Sequence, residues 1–376
     1  MRTFEQLYGR PAEGEWAAPG RVNLIGEHTD YNLGFVLPIA LPQTVRAQAA
    51  RRADGRLRLW SAQSDGPVVD LPVAELAPGS APGWTGYPAG VVWVLREAGH
   101  PVGGADLRLD SDVPGGAGLS SSAALECAVA AAYNDLYGLG LSAPELAVLA
   151  QRAENAFVGV PCGIMDQMAS MCCRPGAALF LDSRDLTMRQ VPVDLAGAGL
   201  ALLVLDTRVK HDLGDGAYAA LRAGCERAAA LLGLPALRSL RPSGLADALG
   251  RLPAELVPLV RHVVTENARV EDAVARLDAG DLAALGPILT AGHASLRDDY
   301  QVSCPETDLA VEAALAAGAH GARMTGGGFG GSVIALVDAA AAGRVAAEVT
   351  AAFRAAGYAE PRTLTAVPAE GARRLG

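Results

Sequence analysis

A glycine- and serine-rich segment between an expected strand and an expected helix constrains this chain most. It runs from Asp112 to Gly138 and reads DVPGGAGLSSSAALECAVAAAYNDLYG. Its alanine-rich second half favours a helix, and the alternating residues 105–109 before it favour a strand. The first N–H groups of a helix lack partners within it and lie at the positive end of its dipole. Glycine backbone and serine hydroxyls at that point therefore indicate a phosphate site, with a nucleotide as its ligand.

Other interpretations of this segment differ in how well the residues support them. A P-loop needs a lysine directly after its glycines, whereas the single lysine of the chain, Lys210, has no glycine loop before it. A dinucleotide fingerprint begins at Gly116, but Ser121 stands where its third glycine belongs. A helix start that is merely capped by a serine side chain stays open as an alternative.

The length and charge of the chain limit the kinds of protein to which it can belong. Because 376 residues exceed the size at which one core usually stops growing, we expect two domains, residues 1–190 and 191–376. A net charge of −10 disfavours binding to nucleic acid or to an anionic membrane. The N-terminus has no apolar signal segment, and no apolar run is long enough to cross a bilayer. We therefore expect a cytoplasmic protein whose six cysteines, which lack zinc or redox spacing, are free thiols.

A second segment, residues 16–41, sets polar side chains in an apolar frame. Its polar residues are Asn23, Glu27, His28 and Asp30, which fall within eight positions. Charged groups in such surroundings are costly unless a ligand or another side chain pairs with them. This predicts a binding loop, and a solvated turn between two strands is the alternative because glycine and asparagine are present.

An expected helix from Ser142 to about Val158 carries an acidic residue on an apolar face. Ser142 and Glu145 form the pattern of a capping box, which marks the start of the helix. Glu154 shares a helical face with small apolar residues, and no cation stands four positions away. A metal ion or a buried partner would explain this carboxylate, and a boundary glutamate that reaches water is the alternative.

Asp166 is a second carboxylate in apolar surroundings. It stands in the sequence GIMDQM, flanked by isoleucine and methionine. Poor hydration is one means by which a protein tunes a carboxylate for proton chemistry, which makes Asp166 a catalytic candidate. Taken alone, an aspartate that binds the backbone N–H groups at a helix start is equally compatible with the sequence.

The alternation of residues and the spacing of glycines predict two further local structures. Residues 44–50 and 56–61 both alternate, and the Asp54-Gly55 pair between them predicts a β-hairpin. Near the C-terminus, residues 326–331 satisfy G-x-G-x-x-G, but the β-branched run SVIALV follows them. Because a dinucleotide fold requires a helix there, we expect a tight glycine turn between two strands instead.

Three separated motifs have a known counterpart when taken together. They are GRVNLIGEHTDY at residues 20–31, PGGAGLSSSAA at 114–124 and MTGGGFGGSVIAL at 324–336. The first resembles the signature of galactokinases, and the other two resemble the ATP loop and the third motif of the GHMP kinase superfamily. The resemblance implies an α+β fold with two domains and the active site between them. The N-terminal α/β domain would resemble domain 2 of ribosomal protein S5, and the C-terminal α+β domain would be ferredoxin-like.

The resemblance also assigns roles to particular residues. It makes Asp166 the proton acceptor for the C1 hydroxyl of galactose, and it makes Arg21 the residue that stabilises the transferring phosphoryl group. The implied sugar-binding residues are Glu27, His28, Thr29, Asp30, Gly163, Asp166 and Tyr218. The implied nucleotide-binding residues are Gly116, Ala117, Gly118, Leu119, Ser120, Ser121, Ser122 and, further away, Ser61. Ser122 and Glu154 would hold Mg²⁺.

The implied activity is the first step of galactose breakdown, with ATP as co-substrate and Mg²⁺ as metal, in a monomer. Near Tyr218 the chain departs from the family, because Gly216 and Leu221 replace a serine and the first of two arginines.

Two rival functions remain, namely a kinase for a related sugar such as N-acetylgalactosamine or arabinose, and a catalytically silent sugar sensor. The serines at 120–122, Asp166 and Arg21 argue against the sensor.

Overall fold

A computed structural model describes residues 2–209 and 216–375, so Lys210 lies outside the described residues. The described strands are β1 (Gly14–Asn23), β2 (Phe35–Val36), β3 (Pro38–Arg52), β4 (Arg56–Ser61), β5 (Val69–Pro72), β6 (Gly104–Ser111), β7 (Ala177–Asp182), β8 (Thr187–Pro192), β9 (Leu200–Asp206), β10 (Gly321–Thr325), β11 (Ser332–Asp338), β12 (Arg362–Ala366) and β13 (Arg373–Arg374). The described α-helices are α1 (Phe4–Tyr8), α2 (Gly86–Glu97), α3 (Ser121–Leu136), α4 (Ala143–Arg152), α5 (Met165–Cys172), α6 (Ala217–Leu232), α7 (Leu245–Leu249), α8 (Val257–Asp278), α9 (Leu285–Asp298), α10 (Pro305–Ala316) and α11 (Ala342–Ala356).

The strands form three sheets. The largest has the order β13-β1-β3-β6-β4-β5, the second has the order β10-β11-β9-β12, and the third has the order β2-β7-β8. Helices α2 to α5 pack with the largest sheet around a core that includes Trp16, Leu107 and Tyr133. A second core, with Leu205 and Phe353, lies between the β9–β12 sheet and the C-terminal helices. This mixture of helix and sheet around two cores confirms the expected α+β class.

The strand and helix around the glycine- and serine-rich segment are confirmed. The expected strand 105–109 lies within β6, and the alanine-rich stretch forms α3. The expected strand–glycine turn–strand near the C-terminus is also confirmed, because β10 and β11 pair in antiparallel register from Thr325↔Ser332 onward. The two glycine segments therefore both lie at the ends of regular elements.

The expected hairpin of residues 44–50 and 56–61 is wrong. Strand β6 lies between β3 and β4, antiparallel to the first and parallel to the second. It enters this space at Gly104, where a Cβ atom would lie 2.2 Å from the carbonyl oxygen of Arg56. An Asp-Gly pair reports local backbone preference, so it cannot indicate that a strand from further along the chain takes the intervening hydrogen bonds.

The helix expected over 142–158 is divided. Its start is confirmed, since the backbone N–H of Ser142 donates to Glu145 at 2.8 Å. The α-helix ends at Arg152, and residues Ala153–Val158 continue as a π-helical turn. Such turns widen the helix locally and occur often at functional sites.

The last strand returns to the first sheet. Arg374 of β13 pairs with Trp16 of β1, although it comes from the C-terminal end of the chain. The division between residues 190 and 191 stays a prediction. Over residues 2–209 and 216–375, no helix is both long and apolar enough to cross a membrane.

Candidate active site

The loop after β1 carries the polar residues that the sequence predicts as a binding loop. Its backbone turns sharply, with φ angles of +105° at Gly26 and +61° at His28. A Cβ atom at Gly26 would lie 2.6 Å from the carbonyl oxygen of Phe35, so this position requires glycine. The Thr29 hydroxyl lies 2.7 Å from the carbonyl oxygen of Gly26 and 2.6 Å from that of Phe35, which closes the loop.

Glu27 is buried and paired across the fold. Its carboxylate forms an ion pair with Arg323 of β10, and Arg323 also lies 3.3 Å from Glu266 of α8. Thr325 Oγ1 and the N–H of Gly326 lie 3.1 and 3.2 Å from Glu27 Oε1. Burial raises the pKa of Glu27, and the charge of Arg323 opposes that effect. The loop after β1 is thereby joined to α8 and to the strand before the C-terminal glycine turn.

His28 lies among aromatic rings. Its Nδ1 is 2.9 Å from the hydroxyl of Tyr31, which in turn is 2.8 Å from the hydroxyl of Tyr300. The ring of Tyr218, near the start of α6, lies 5.5 Å from the His28 ring between centroids. Burial lowers the pKa of His28 to about 3, so the imidazole is neutral at physiological pH. A neutral imidazole offers one donor and one acceptor, which suits the recognition of a hydroxyl group.

Asp30 faces the segment that precedes α5. Its Oδ2 accepts a hydrogen bond from the N–H of Met165 at 3.1 Å. Burial raises the pKa of Asp30, and this hydrogen bond lowers it in part. A Cβ atom at Gly163 would lie 1.8 Å from Asp30 Oδ2, so only glycine lets these two segments approach. The predicted sugar-binding residues Asp30 and Gly163 are therefore in direct contact.

Arg21, Asp166 and Ser120 form one polar cluster. The Nε and Nη2 atoms of Arg21 lie 2.8 and 2.7 Å from Asp166 Oδ1. Ser120 donates to Asp166 Oδ2 at 2.5 Å, and Arg21 Nη1 donates to the carbonyl oxygen of Gly118 at 2.7 Å. Asp166 thus stands beside both a cation and the glycine- and serine-rich loop.

The geometry of this loop differs from that of a simple capped helix. Gly116, Gly118 and Ser120 all have positive φ angles, between 58° and 75°. The Ser120 side chain makes no capping hydrogen bond to α3, because its hydroxyl donates to Asp166. The interpretation as a serine-capped start is therefore not realised, and the first turn of α3 keeps its N–H groups available.

The two glycine segments pack against each other. Ser332, at the start of β11, donates to the carbonyl oxygen of Ala117 at 2.7 Å. A Cβ atom at Gly326 would lie 2.9 Å from the carbonyl oxygen of Gly118, and one at Gly331 would lie 3.2 Å from that of Ala117. Glycine is required at this contact because the two backbones approach so closely.

Glu154 is buried, with only 5% of its surface exposed, which excludes a boundary glutamate that reaches water. Gln167 Nε2 donates to Glu154 Oε2 at 2.6 Å and lies 3.2 Å from Oε2 of Glu126. The Cys162 thiol lies 3.4 Å from the same Glu154 oxygen, and the nearby Ser122 side chain lowers the pKa of the carboxylate in part. Burial raises the pKa of Glu154, and the nearby charge of Asp166 adds to the effect.

A cleft of about 270 Å³ brings most of the predicted site residues together. Those that line it are Arg21, Glu27, His28, Asp30, Gly116, Gly118, Leu119, Ser120, Ser121, Ser122, Glu154, Gly163, Asp166 and Tyr218. Thr29 and Ala117 are fully buried and do not line it. Ser61 lies in a second cavity of about 330 Å³ that shares Ser121 and Ser122 with the first.

Known protein families match the segments of this chain that contain the three motifs. Family models described as the galactokinase galactose-binding signature, the GHMP kinases N terminal domain and the GHMP kinases C terminal match residues 2–51, 86–174 and 272–355. A galactokinase of Streptomyces coelicolor is 61% identical over 99% of this chain and 97% of its own length. The chain belongs to the galactokinase family.

Other members of the galactokinase family agree with this assignment. A galactokinase of Mycobacterium bovis is 48% identical over 95% of this chain and 98% of its own length. The crystal structure of Lactococcus lactis galactokinase complexed with galactose superimposes with a TM-score of 0.95 at 32% identity, covering 99% of this chain and 98% of that one. The expected two-domain fold of the GHMP kinases is confirmed.

Several buried polar residues of this galactokinase-family site were not among the sequence-based candidates. They are Glu126, Gln167, His262, Glu266 and Arg323. One signal was present for α8, where His262 and Glu266 fall on the same face as the core residues Val263 and Val270. A polar residue on an apolar helical stripe needs a partner, but the stripe does not identify that partner.

Proposed function

We propose that this protein transfers the γ-phosphoryl group of ATP to the C1 hydroxyl of D-galactose, giving galactose 1-phosphate and ADP. The observation that carries the proposal is the position of Asp166. It lies in one cleft with the loop after β1 and the glycine- and serine-rich loop, and Ser120 of the latter donates to it. A hydroxyl acceptor and a phosphate donor could thus meet at this carboxylate, as phosphoryl transfer requires.

The loop after β1 would bind the sugar. His28 and Asp30 line the cleft with Glu27. Tyr218 also lines it, and its ring lies 5.5 Å from that of His28. These groups are held by the ion pair with Arg323, the contact with Tyr31 and the N–H of Met165. Fixed donors and acceptors favour a sugar whose hydroxyl groups match them all, because a mismatch leaves a buried polar group unpaired.

The N-terminal turn of α3 would bind the phosphates of ATP. Gly116 and Gly118 leave the backbone uncovered there, and the helix dipole favours negative charge. The second cavity is lined by Ser121 and Ser122 and also by Ser61. It offers space for the nucleoside part beside the phosphate loop.

Asp166 and Arg21 would act on the two sides of the transfer. Asp166 would accept the proton of the C1 hydroxyl as the new bond to phosphorus forms. Arg21, which already lies against both Asp166 and Gly118, would stabilise the charge that spreads over the phosphoryl oxygens. No covalent intermediate with the protein is needed.

Ser122 and Glu154 would hold Mg²⁺. Their hydroxyl and carboxylate oxygens are ligands that Mg²⁺ prefers, and both residues line the cleft. Glu154 is buried, and among the described residues its hydrogen-bonding partners are Gln167 and Cys162, both neutral, so a bound cation would compensate its charge, which supports the fit. When bound, Mg²⁺ would neutralise charge on the phosphates. Residues 2–209 and 216–375 contain no group of three or more acidic, cysteine or histidine side chains that could hold a metal ion. A site with two protein ligands does not require such a group.

A sugar panel tests the proposal and separates it from its rivals. ADP release would be measured with ATP, Mg²⁺ and, in turn, galactose, glucose, N-acetylgalactosamine and arabinose. We expect galactose to exceed glucose by at least about 100-fold in kcat/KM, and phosphorus NMR to find the product phosphate on C1. A faster reaction with another sugar would contradict the substrate, and galactose binding without ADP release would favour a sensor. We also propose that the protein acts as a monomer, in the cytoplasm.

A further inference from the structure

Gln167 joins two buried carboxylates behind the cleft. Its side chain is fully buried, and its amide nitrogen lies 2.6 Å from Glu154 Oε2 and 3.2 Å from Glu126 Oε2. The amide end that faces two carboxylate oxygens must be the nitrogen, since only that end donates. Glu126 comes from α3, Glu154 from the π-helical turn and Gln167 from α5. One amide therefore connects the three elements that line this part of the cleft.

The two carboxylate oxygens of Glu154 differ in their contacts. Gln167 and the Cys162 thiol both contact Oε2, at 2.6 and 3.4 Å. The shorter contact is the stronger one, because the donor is an amide and the acceptor is a carboxylate. Oε1 takes part in neither of these contacts. Gln167 therefore holds the Glu154 carboxylate mainly by Oε2, and Oε1 lies outside these two contacts.

We propose that Gln167 is a positioning residue that orients Glu154 so that Oε1 binds Mg²⁺. This inference rests on the proposed function, in which Glu154 is a metal ligand. Glu126 accepts the second N–H of the amide and so prevents it from rotating. Groups behind a metal ligand usually change metal affinity by 10- to 100-fold when they are removed, because the ligand loses its orientation.

The position of Gln167 in α5 gives this role a further consequence. Asp166 and Gln167 are adjacent in the first turn of α5, and their side chains point to different partners. Asp166 contacts Arg21 and Ser120, whereas Gln167 contacts Glu154. One helical turn therefore holds the proposed proton acceptor and the proposed metal ligand at a constant separation.

The test measures nucleotide binding without turnover. ADP would be titrated calorimetrically into the full-length protein with saturating Mg²⁺ and with a chelator, and the ratio of the two dissociation constants gives the Mg²⁺-dependent gain in affinity. Gln167→Met removes the donor and keeps the length of the side chain. We expect this gain to fall about tenfold in Gln167→Met. Affinity for ADP without Mg²⁺ and affinity for galactose should stay unchanged.

Ser170→Ala is the matched control. Ser170 lies one turn later on α5, is 1% exposed and donates to the carbonyl oxygen of Pro19 at 2.8 Å, away from Glu154. This variant loses a buried hydrogen bond from the same helix and should keep the full Mg²⁺-dependent gain. If Gln167→Met does not fold, Gln167→Asn serves the same purpose, because its shorter side chain withdraws the amide from Glu154.

The possible outcomes distinguish a failure of this inference from a failure of the proposed function. If the parent protein shows no Mg²⁺-dependent gain, the proposed metal site itself is contradicted. If the parent shows it and the Gln167 variants keep it, Glu154 is a ligand that needs no support from Gln167, and the inference is overturned. An equal loss of ADP affinity with and without Mg²⁺ would also overturn it, because that result indicates general damage to the cleft.

Discussion

Arg21 and Asp166 form a salt bridge in which two nitrogens of the guanidinium converge on one carboxylate oxygen. The Nε and Nη2 atoms lie 2.8 and 2.7 Å from Asp166 Oδ1. Oδ2 is left to the hydroxyl of Ser120, at 2.5 Å. Arg21 is almost fully buried at β1, whereas Asp166 is partly open to the cleft. The arginine therefore orients the carboxylate from behind and leaves its exposed side to a ligand.

Asp166→Asn tests the proposed proton acceptor. Asparagine keeps an oxygen for Arg21 and the shape of the side chain, but it cannot take up a proton from a sugar hydroxyl. We expect kcat to fall by about 100-fold or more, as is typical when a general base is lost. Affinities for galactose and ATP should change little in calorimetric titrations. Near-parental kcat would assign Asp166 to positioning alone.

Glu154→Gln tests the proposed metal ligand. The substitution keeps the volume of the side chain and removes its charge, so Mg²⁺ loses a ligand oxygen that carries negative charge. We expect kcat at fixed Mg²⁺ to fall, and the Mg²⁺ concentration at half-maximal rate to rise at least about tenfold. Initial rates over a Mg²⁺ titration at constant ATP give both values. An unchanged Mg²⁺ dependence would contradict the assignment.

The sequence was informative where a function depends on a contiguous segment. The polar loop around Glu27 and His28 was predicted from charges in an apolar frame, and the cleft indeed contains it. The partner of Glu27 was not predicted, because Arg323 is almost 300 positions away and looks like an ordinary strand residue. Pairing over such a distance depends on the packing of β10 against the loop. No local pattern in the sequence reports that packing.

Two further differences between the expected and the observed structure have the same cause, namely contacts between residues that are far apart in the sequence. The Asp54-Gly55 turn correctly indicates a change of direction, but β6 occupies the place beside β3 that a hairpin partner would take. The role of Gln167 could not be predicted from the sequence, because a glutamine on an alanine- and methionine-rich helix gives no sign of its partners. Its role depends on Glu126 and Glu154, which two other helical segments bring to it. Contacts between separate elements can therefore be identified only from the structure.

Arg323→Met tests whether the buried ion pairs hold the loop after β1. Arg323 is fully buried between Glu27 and Glu266, and methionine would leave both carboxylates without this cation. We expect the free energy of unfolding in urea to fall by about 3–5 kcal/mol. Arg276→Met is the control, because the Arg276–Asp272 pair is about half exposed and contributes less than about 1 kcal/mol. Equal effects of the two substitutions would contradict the importance of burial.

Leu33→Gly should stabilise the protein, because Leu33 has a left-handed backbone conformation with φ +58° and ψ +30°. This conformation costs a residue with a Cβ atom about 1–2 kcal/mol. The side chain is 38% exposed, so its removal sacrifices little packing. Glycine loses more chain entropy on folding, which offsets about 0.5–1 kcal/mol of the gain. A net increase of about 0.5–1 kcal/mol in the free energy of unfolding is expected from urea titration. Leu33→Ala keeps the Cβ atom and should show no such increase, so an equal gain in both variants would attribute the effect to the loss of an exposed apolar side chain.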